Sequence, residues 1–91
     1  MTERKRSRNE IISDMLAVIQ EKGGKIKPTP LMYKANLSHK QMSLYLQELI
    51  QAELVARTFI KDKQTLEITR KGRDFYVKYS QLKEFEKTFG L

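Results

Sequence analysis

Leu37-Ser38-His39-Lys40-Gln41-Met42-Ser43-Leu44-Tyr45-Leu46-Gln47-Glu48-Leu49-Ile50 is the stretch whose reading decides the fold. Ser38 followed by Gln41 fits a capping box, in which the hydroxyl accepts from an orphan backbone N–H and the carboxamide reaches back to the cap. At about 100° per residue, Met42, Tyr45, Leu46, Leu49 and Ile50 gather on one side of the resulting helix. Lys40, Ser43, Leu44, Gln47 and Gln51 lie away from that stripe. The first face packs, and the second mixes a cation, a hydroxyl, an amide and an aliphatic group. These are chemistries that read base edges: Lys donates to guanine acceptors, Gln pairs with adenine, and an aliphatic group sits on a thymine methyl. An ordinary polar surface helix carries the same pattern, and this stretch alone does not separate the two.

Working backwards, Asn36-Leu37-Ser38 reads as a three-residue turn, because Asn tolerates left-handed torsions and Leu37 is a buried-type residue. Before it, Thr29 is expected to cap a short helix over residues 30 to 35, with Pro30 at its first position. A short helix, a tight turn and a longer helix make a helix-turn-helix. Lys25-Ile26-Lys27-Pro28 reads as an extended link or minimal strand, since the residue before proline is pushed from helical torsions. Upstream, Ser7 and Glu10 form a second capping box, and Ile11, Ile12, Met15, Leu16 and Ile19 make the stripe of a helix over residues 8 to 22, ending at Gly23-Gly24.

Working forwards, Leu54 to Ile60 and Gln64 to Thr69 have period-two character around Lys61-Asp62-Lys63, which predicts a β-hairpin with a charged tip. Leu66 and Ile68 should face the helices, and Thr65 and Glu67 water. Thr69 then caps a last helix from Arg70 to Phe89, along which Phe75, Tyr79, Leu82, Glu86 and Phe89 form a heptad-like seam with Phe85 beside it. Its first part can close the chain's own core. Leu82, Phe85 and Phe89 lie past the globular body, and the expected cover is a second chain rather than the wing. Phe75, Tyr79, Leu82, Phe85 and Phe89 are thus the candidate dimer interface. Glu86 within the seam either pairs with Lys83 or Lys87 of an antiparallel partner or marks where contact ends.

The expected architecture is therefore α+β, mainly α: a winged helix-turn-helix of three helices and a hairpin wing, with a C-terminal dimerisation helix. It divides into a basic arm over residues 1–7, the winged unit over 8–69 and the last helix over 70–91. A chain of 91 residues, 40% hydrophobic, supports one modest core. Without cysteine it has neither disulfides nor thiolate-ligated zinc, and one histidine is a poor basis for a metal site, so no cofactor is expected. No apolar run approaches the roughly 20 residues that span a bilayer, which implies no membrane partner and a cytoplasmic, nucleoid-associated location.

The net charge is +7, and its placement says more than its size. Arg4, Lys5, Arg6 and Arg8 crowd the start, and no acidic residue falls between Glu21 and Glu48. Arg57, Lys61, Lys63, Arg70, Lys71 and Arg73 outnumber Asp62 and Glu67, whereas residues 74 to 91 are balanced. Segregation of this kind favours a polyanion partner.

The string Met32-Tyr33-Lys34-Ala35-Asn36-Leu37-Ser38, with Leu46 and Leu49-Ile50 behind it and Leu66-Glu67-Ile68-Thr69-Arg70-Lys71-Gly72 after the hairpin, resembles the archaeal winged-helix family. That family includes small basic chromatin-associated DNA-binding proteins. The resemblance covers nearly all of residues 8 to 90 in the same order. It implies homodimers joined through the last helix as an antiparallel coiled coil, each winged unit presented to duplex DNA.

The expected function is double-stranded DNA binding by a homodimer, as a transcriptional regulator or chromatin protein. The recognition helix, about residues 38–53, would lie in the major groove, with Ser38, His39, Lys40, Ser43, Leu44 and Gln47 facing it. Lys34, Arg57, Lys61 and Lys63 are the candidate phosphate contacts beside the arm; Tyr33 could also offer a hydroxyl to phosphate, although a tyrosine here is more often half-buried packing. No enzymatic activity is expected, because His39 lacks a nucleophile-and-carboxylate set, and no small-molecule ligand is implied. The alternative is a winged-helix adaptor for protein–protein interaction. RNA binding ranks lower, since the aromatics cluster in hydrophobic stripes rather than on an exposed platform.

Overall fold

The computed structural model describes residues 6–91. Helix α1 spans Arg8–Glu21, strand β1 Lys25–Ile26, α2 Pro28–Lys34, α3 His39–Gln51, β2 Val55–Ile60, β3 Lys63–Ile68 and α4 Arg70–Thr88. The strands form one antiparallel sheet in the order β1-β3-β2. Ile26 pairs with Leu66 and Val55 with Ile68, so both pairs present apolar side chains to the helices. Met15, Leu16 and Ile19 of α1, Leu31 of α2, Leu49 of α3, Val55 and Leu66 are fully buried and form the centre of a single core. The expected stripes of α1 and the faces of Leu66 and Ile68 match this arrangement. Helix-turn-helix, hairpin and final helix follow in the order of a winged helix-turn-helix.

All four helices of the described residues end by the same device. Gly23, Asn36, Glu53 and Gly90 adopt left-handed torsions, with φ of 79°, 57°, 62° and 72°. In each case the next residue turns its N–H back onto the helix: Gly24 to the Ile19 carbonyl at 2.9 Å, Leu37 to Met32 at 2.9 Å, Leu54 to Leu49 at 2.9 Å and Leu91 to Glu86 at 2.8 Å. Carbonyls left without intrahelical donors are thereby satisfied. Leu37 and Leu54 are also buried, so each of these residues both closes a helix and feeds the core.

Two boundaries differ from expectation. Helix α2 begins at Pro28 with Lys27 at the cap and no side-chain cap bond, so Thr29 lies inside the helix and Pro30 is not its first residue. Proline has no N–H to leave orphaned and its φ is already helical, which makes a side-chain cap dispensable. The hairpin turn is the two residues Lys61-Asp62, both at positive φ (51° and 64°), and Lys63 pairs with Ile60 as the first residue of β3. A two-residue turn with both torsions positive matches the twist of the strands, even with residues less suited to it than Asn-Gly.

Helix α4 is fixed to the body at its start. The Thr69 hydroxyl accepts from the Gly72 N–H at 3.0 Å and donates to the Glu53 carbonyl at 2.6 Å, while the Thr69 N–H donates to the Leu54 carbonyl at 3.1 Å. Gly72 is buried so closely on Leu54 that a Cβ there would overlap the Leu54 carbonyl oxygen. Phe75 and Tyr76, one turn on, pack against the core. Beyond them α4 borders a groove with Ser13, Asp14 and Ala17 of α1, and its residues after Ser80 are exposed apart from Glu86; the molecule measures 49 × 31 × 22 Å.

Candidate nucleic-acid interface

The capping box at Ser38 forms as expected. The Ser38 hydroxyl accepts from the Gln41 N–H at 3.1 Å, and the Gln41 carboxamide oxygen accepts from the Ser38 N–H at 3.0 Å. Met42, Leu46 and Leu49 then point into the core, with Tyr45 and Ile50 packed at its edge. That orientation leaves Ser38, His39, Lys40, Ser43, Leu44 and Gln47 all exposed, Leu44 by 54%. Glu48 is the acidic residue of α3, and it is committed elsewhere: Arg8 of α1 donates to its carboxylate at 2.8 Å and 2.6 Å. The exposed face therefore carries no carboxylate, and this matters because a phosphate backbone penalises uncompensated negative charge nearby.

Arg6 performs a different task from the one expected of the arm. Its guanidinium donates to the carbonyls of Ala35 at 2.9 Å and Asn36 at 2.8 Å, and pairs with Asp14 at 3.0 Å. It therefore ties α1 to the α2–α3 turn and occupies carbonyls at the C-terminal end of α2, where cations are favoured. Arg6 and Arg8 are thus engaged within the chain. Arg4 and Lys5, also expected on phosphates, lie outside the described residues. Local spacing could not reveal these pairings, since the partners are 8 to 40 residues away.

On the wing, Arg57, Lys61 and Lys63 are exposed, as is Lys34 at the end of α2. Tyr33 is 72% exposed rather than half-buried, which makes its hydroxyl available beside Lys34. Lys27, Ile60, Lys61, Lys63 and Thr65 border a shallow groove on the outer face of the sheet. Phe59 and Ile60 stand out into solvent at the wing tip. The sequence does carry a signal for them, because two adjacent large apolar residues break the period-two pattern just before the turn.

Along α4 the expected seam divides. Phe75 packs against the core and stacks on Tyr79, with ring centroids 6.1 Å apart and planes 4° from parallel. Leu82, Phe85 and Phe89 are exposed, with Phe85 and Phe89 in tilted ring contact at 4.9 Å. Glu86 pairs with Lys83 of its own helix at 3.7 Å. No described helix is long and apolar enough to cross a membrane.

A hairpin packed beside a capped, exposed second helix of a helix-turn-helix defines a class, and the chain belongs to it: residues 5–87 match the winged helix-turn-helix family. It is 36% identical over 80 residues to an uncharacterised protein of Methanocaldococcus jannaschii, a match covering 88% of this chain and 76% of the relative. Its fold is similar to that of Sso10a-2, a DNA-binding protein from Sulfolobus solfataricus, with a TM-score of 0.80 at 21% identity, over 92% of this chain and 85% of that one. It is also similar to F93 from STIV, a winged-helix DNA-binding protein, with a TM-score of 0.74 at 20% identity, over 92% and 95% of the two chains.

Proposed function

We propose that this chain binds duplex DNA as a homodimer, with α3 in the major groove and the wing on flanking phosphates. The observation that carries the reading is the exposed face of α3: Lys40, Ser43, Leu44 and Gln47 stand clear of the core, and Glu48 is withdrawn into its pair with Arg8. Ser38 and His39 at the helix start join that face, and Lys34, Arg57, Lys61 and Lys63 supply phosphate contacts around it. Phosphates provide position and most of the affinity; the mixed groups of α3 provide whatever base preference exists. Both Sso10a-2 and F93 are described as DNA-binding, which agrees with this reading. In the proposed dimer, Leu82, Phe85 and Phe89 of α4 cover one another between chains, with Tyr79 at the edge and Phe75 reaching inward to the core. Burial of an aromatic or leucine side chain contributes about 1.5–3 kcal/mol, so three per chain suffice for a modest interface.

Fluorescence anisotropy on a labelled duplex over a salt series tests it. If each protomer neutralises about four phosphates, the dimer gives a log–log salt slope near −7. Lys40→Glu combined with Lys63→Glu is expected to abolish binding. A slope near zero, or weak binding untouched by the double reversal, would favour a protein-interaction adaptor instead.

A further inference from the structure

Phe59 and Ile60 are 65% and 61% exposed at the end of β2, immediately before the Lys61-Asp62 turn. Successive residues of a strand face opposite ways, so the tip shows one large apolar group on each face of the ribbon. Phe59 lies opposite Gln64 and Ile60 opposite Lys63. A wing that only neutralised phosphates would be served by cations and small polar groups, and an apolar hairpin end invites aggregation. The surroundings say which partner offsets that liability. Lys61 follows Ile60 in the turn, Lys63 faces it across the ladder, and Lys27 closes the groove beside it, with Asp62 flanked by two of these cations. Three lysines around an apolar point fit a polyanion with an apolar interior, which describes a base-pair stack between two phosphate chains.

We propose that the wing tip is a wedge for duplex DNA: Phe59 and Ile60 enter the minor groove, each pressing on the base pairs on its own side of the ribbon so that one step is parted, while Lys27, Lys61 and Lys63, around Ile60, hold phosphates beside it. The proposal rests on the placement of α3 in the major groove and adds a deformation of the DNA to it. The geometry allows the reach. Strand β2 packs against α3 at its base, and six residues of strand extend about 20 Å, beyond the roughly 12 Å width of the major groove. Apolar wedges of this kind part a base step and kink the duplex by about 20–90°. Pyrimidine–purine steps part most easily, so the wedge confers preference for TA or CA at a position where the protein makes no base hydrogen bond.

The test uses the full chain and a duplex of about 30 base pairs, carrying dyes at its ends and 2-aminopurine beside a central TA step. Wild type is expected to shorten the end-to-end distance and raise the 2-aminopurine emission. Phe59→Thr with Ile60→Thr, both at exposed strand positions, is expected to keep the melting temperature and the salt slope of wild type but leave the duplex straight. Phe59→Leu retains part of the bend. Binding by wild type without bending overturns the wedge alone, as does full bending by the double variant. Loss of self-association in the double variant also overturns it, by making the tip a protein contact. Failure of wild type to bind any duplex overturns the placement of α3, and the wedge with it.

Discussion

Glu53 holds a left-handed torsion that three of the four helix ends give to glycine or asparagine. An L-residue with a long side chain carries a steric penalty there, and only its backbone is needed: the N–H donates to Ile50 and the carbonyl accepts from Thr69. Glu53→Gly is therefore expected to stabilise the fold by about 0.5–1 kcal/mol, after the added freedom of the unfolded chain is counted. Thermal denaturation would register it as a rise in Tm, at about 4–8 °C per kcal/mol for a domain of this size. An unchanged or lowered Tm would show that the Glu53 side chain has a stabilising role of its own. The same residue shows where the sequence is silent. Gly23 and Asn36 announce helix ends because their chemistry suits the torsion, whereas Glu53 adopts it only because Leu54 is drawn into the core. Arg6 and Arg8 are silent in another way: as a run of cations they look like phosphate ligands, and only the fold brings Asp14 and Glu48 to them.

Elements were legible where a cap and a stripe coincide. Helix α3 has both, Ser38 with Gln41 and then Met42, Leu46 and Leu49, and its expected exposed face emerges intact. The start of α2 was not legible to the residue, because prolines at 28 and 30 fit a helix beginning equally well and no side-chain cap marks either. The expected wing turn is one residue too long, since Asp62 suits a positive φ but Lys61 does not, and without a glycine nothing in Lys61-Asp62-Lys63 marks two turn residues rather than three. At the junction of α3, β2 and α4, Gly72 answers to packing rather than to helix propensity. Gly72→Ala would ordinarily favour a helix, yet here the new methyl meets the Leu54 carbonyl and the Ile68 side chain. The expected cost is about 2–3 kcal/mol, read as a lowered denaturant midpoint. A stabilised variant would mean that α4 can shift away from Leu54 freely.

For the whole molecule, the open question in the sequence was what covers the end of α4. The fold absorbs Phe75 and Tyr76 and leaves Phe85 at 57% and Phe89 at 65% exposure, so no intrachain cover is provided among the described residues. In the proposed dimer, Leu82→Glu with Phe85→Glu brings like charges together across an apolar seam. Sedimentation is expected to report a monomer that keeps its circular dichroism spectrum, with a salt slope about half that of the dimer. A dimer that survives both substitutions would place the seam elsewhere. A regulator and a packaging protein would differ in how far Ser43, Leu44 and Gln47, in the proposed groove contact, discriminate between bases. The seating of Gly72 on Leu54 bears on that choice. A helix anchored so tightly at one end acts as a caliper arm. In the proposed dimer, the contact at its far end would fix the distance and phase between two reading heads, so that the protein rather than the DNA would dictate the permitted gap, in whole turns of about 34 Å.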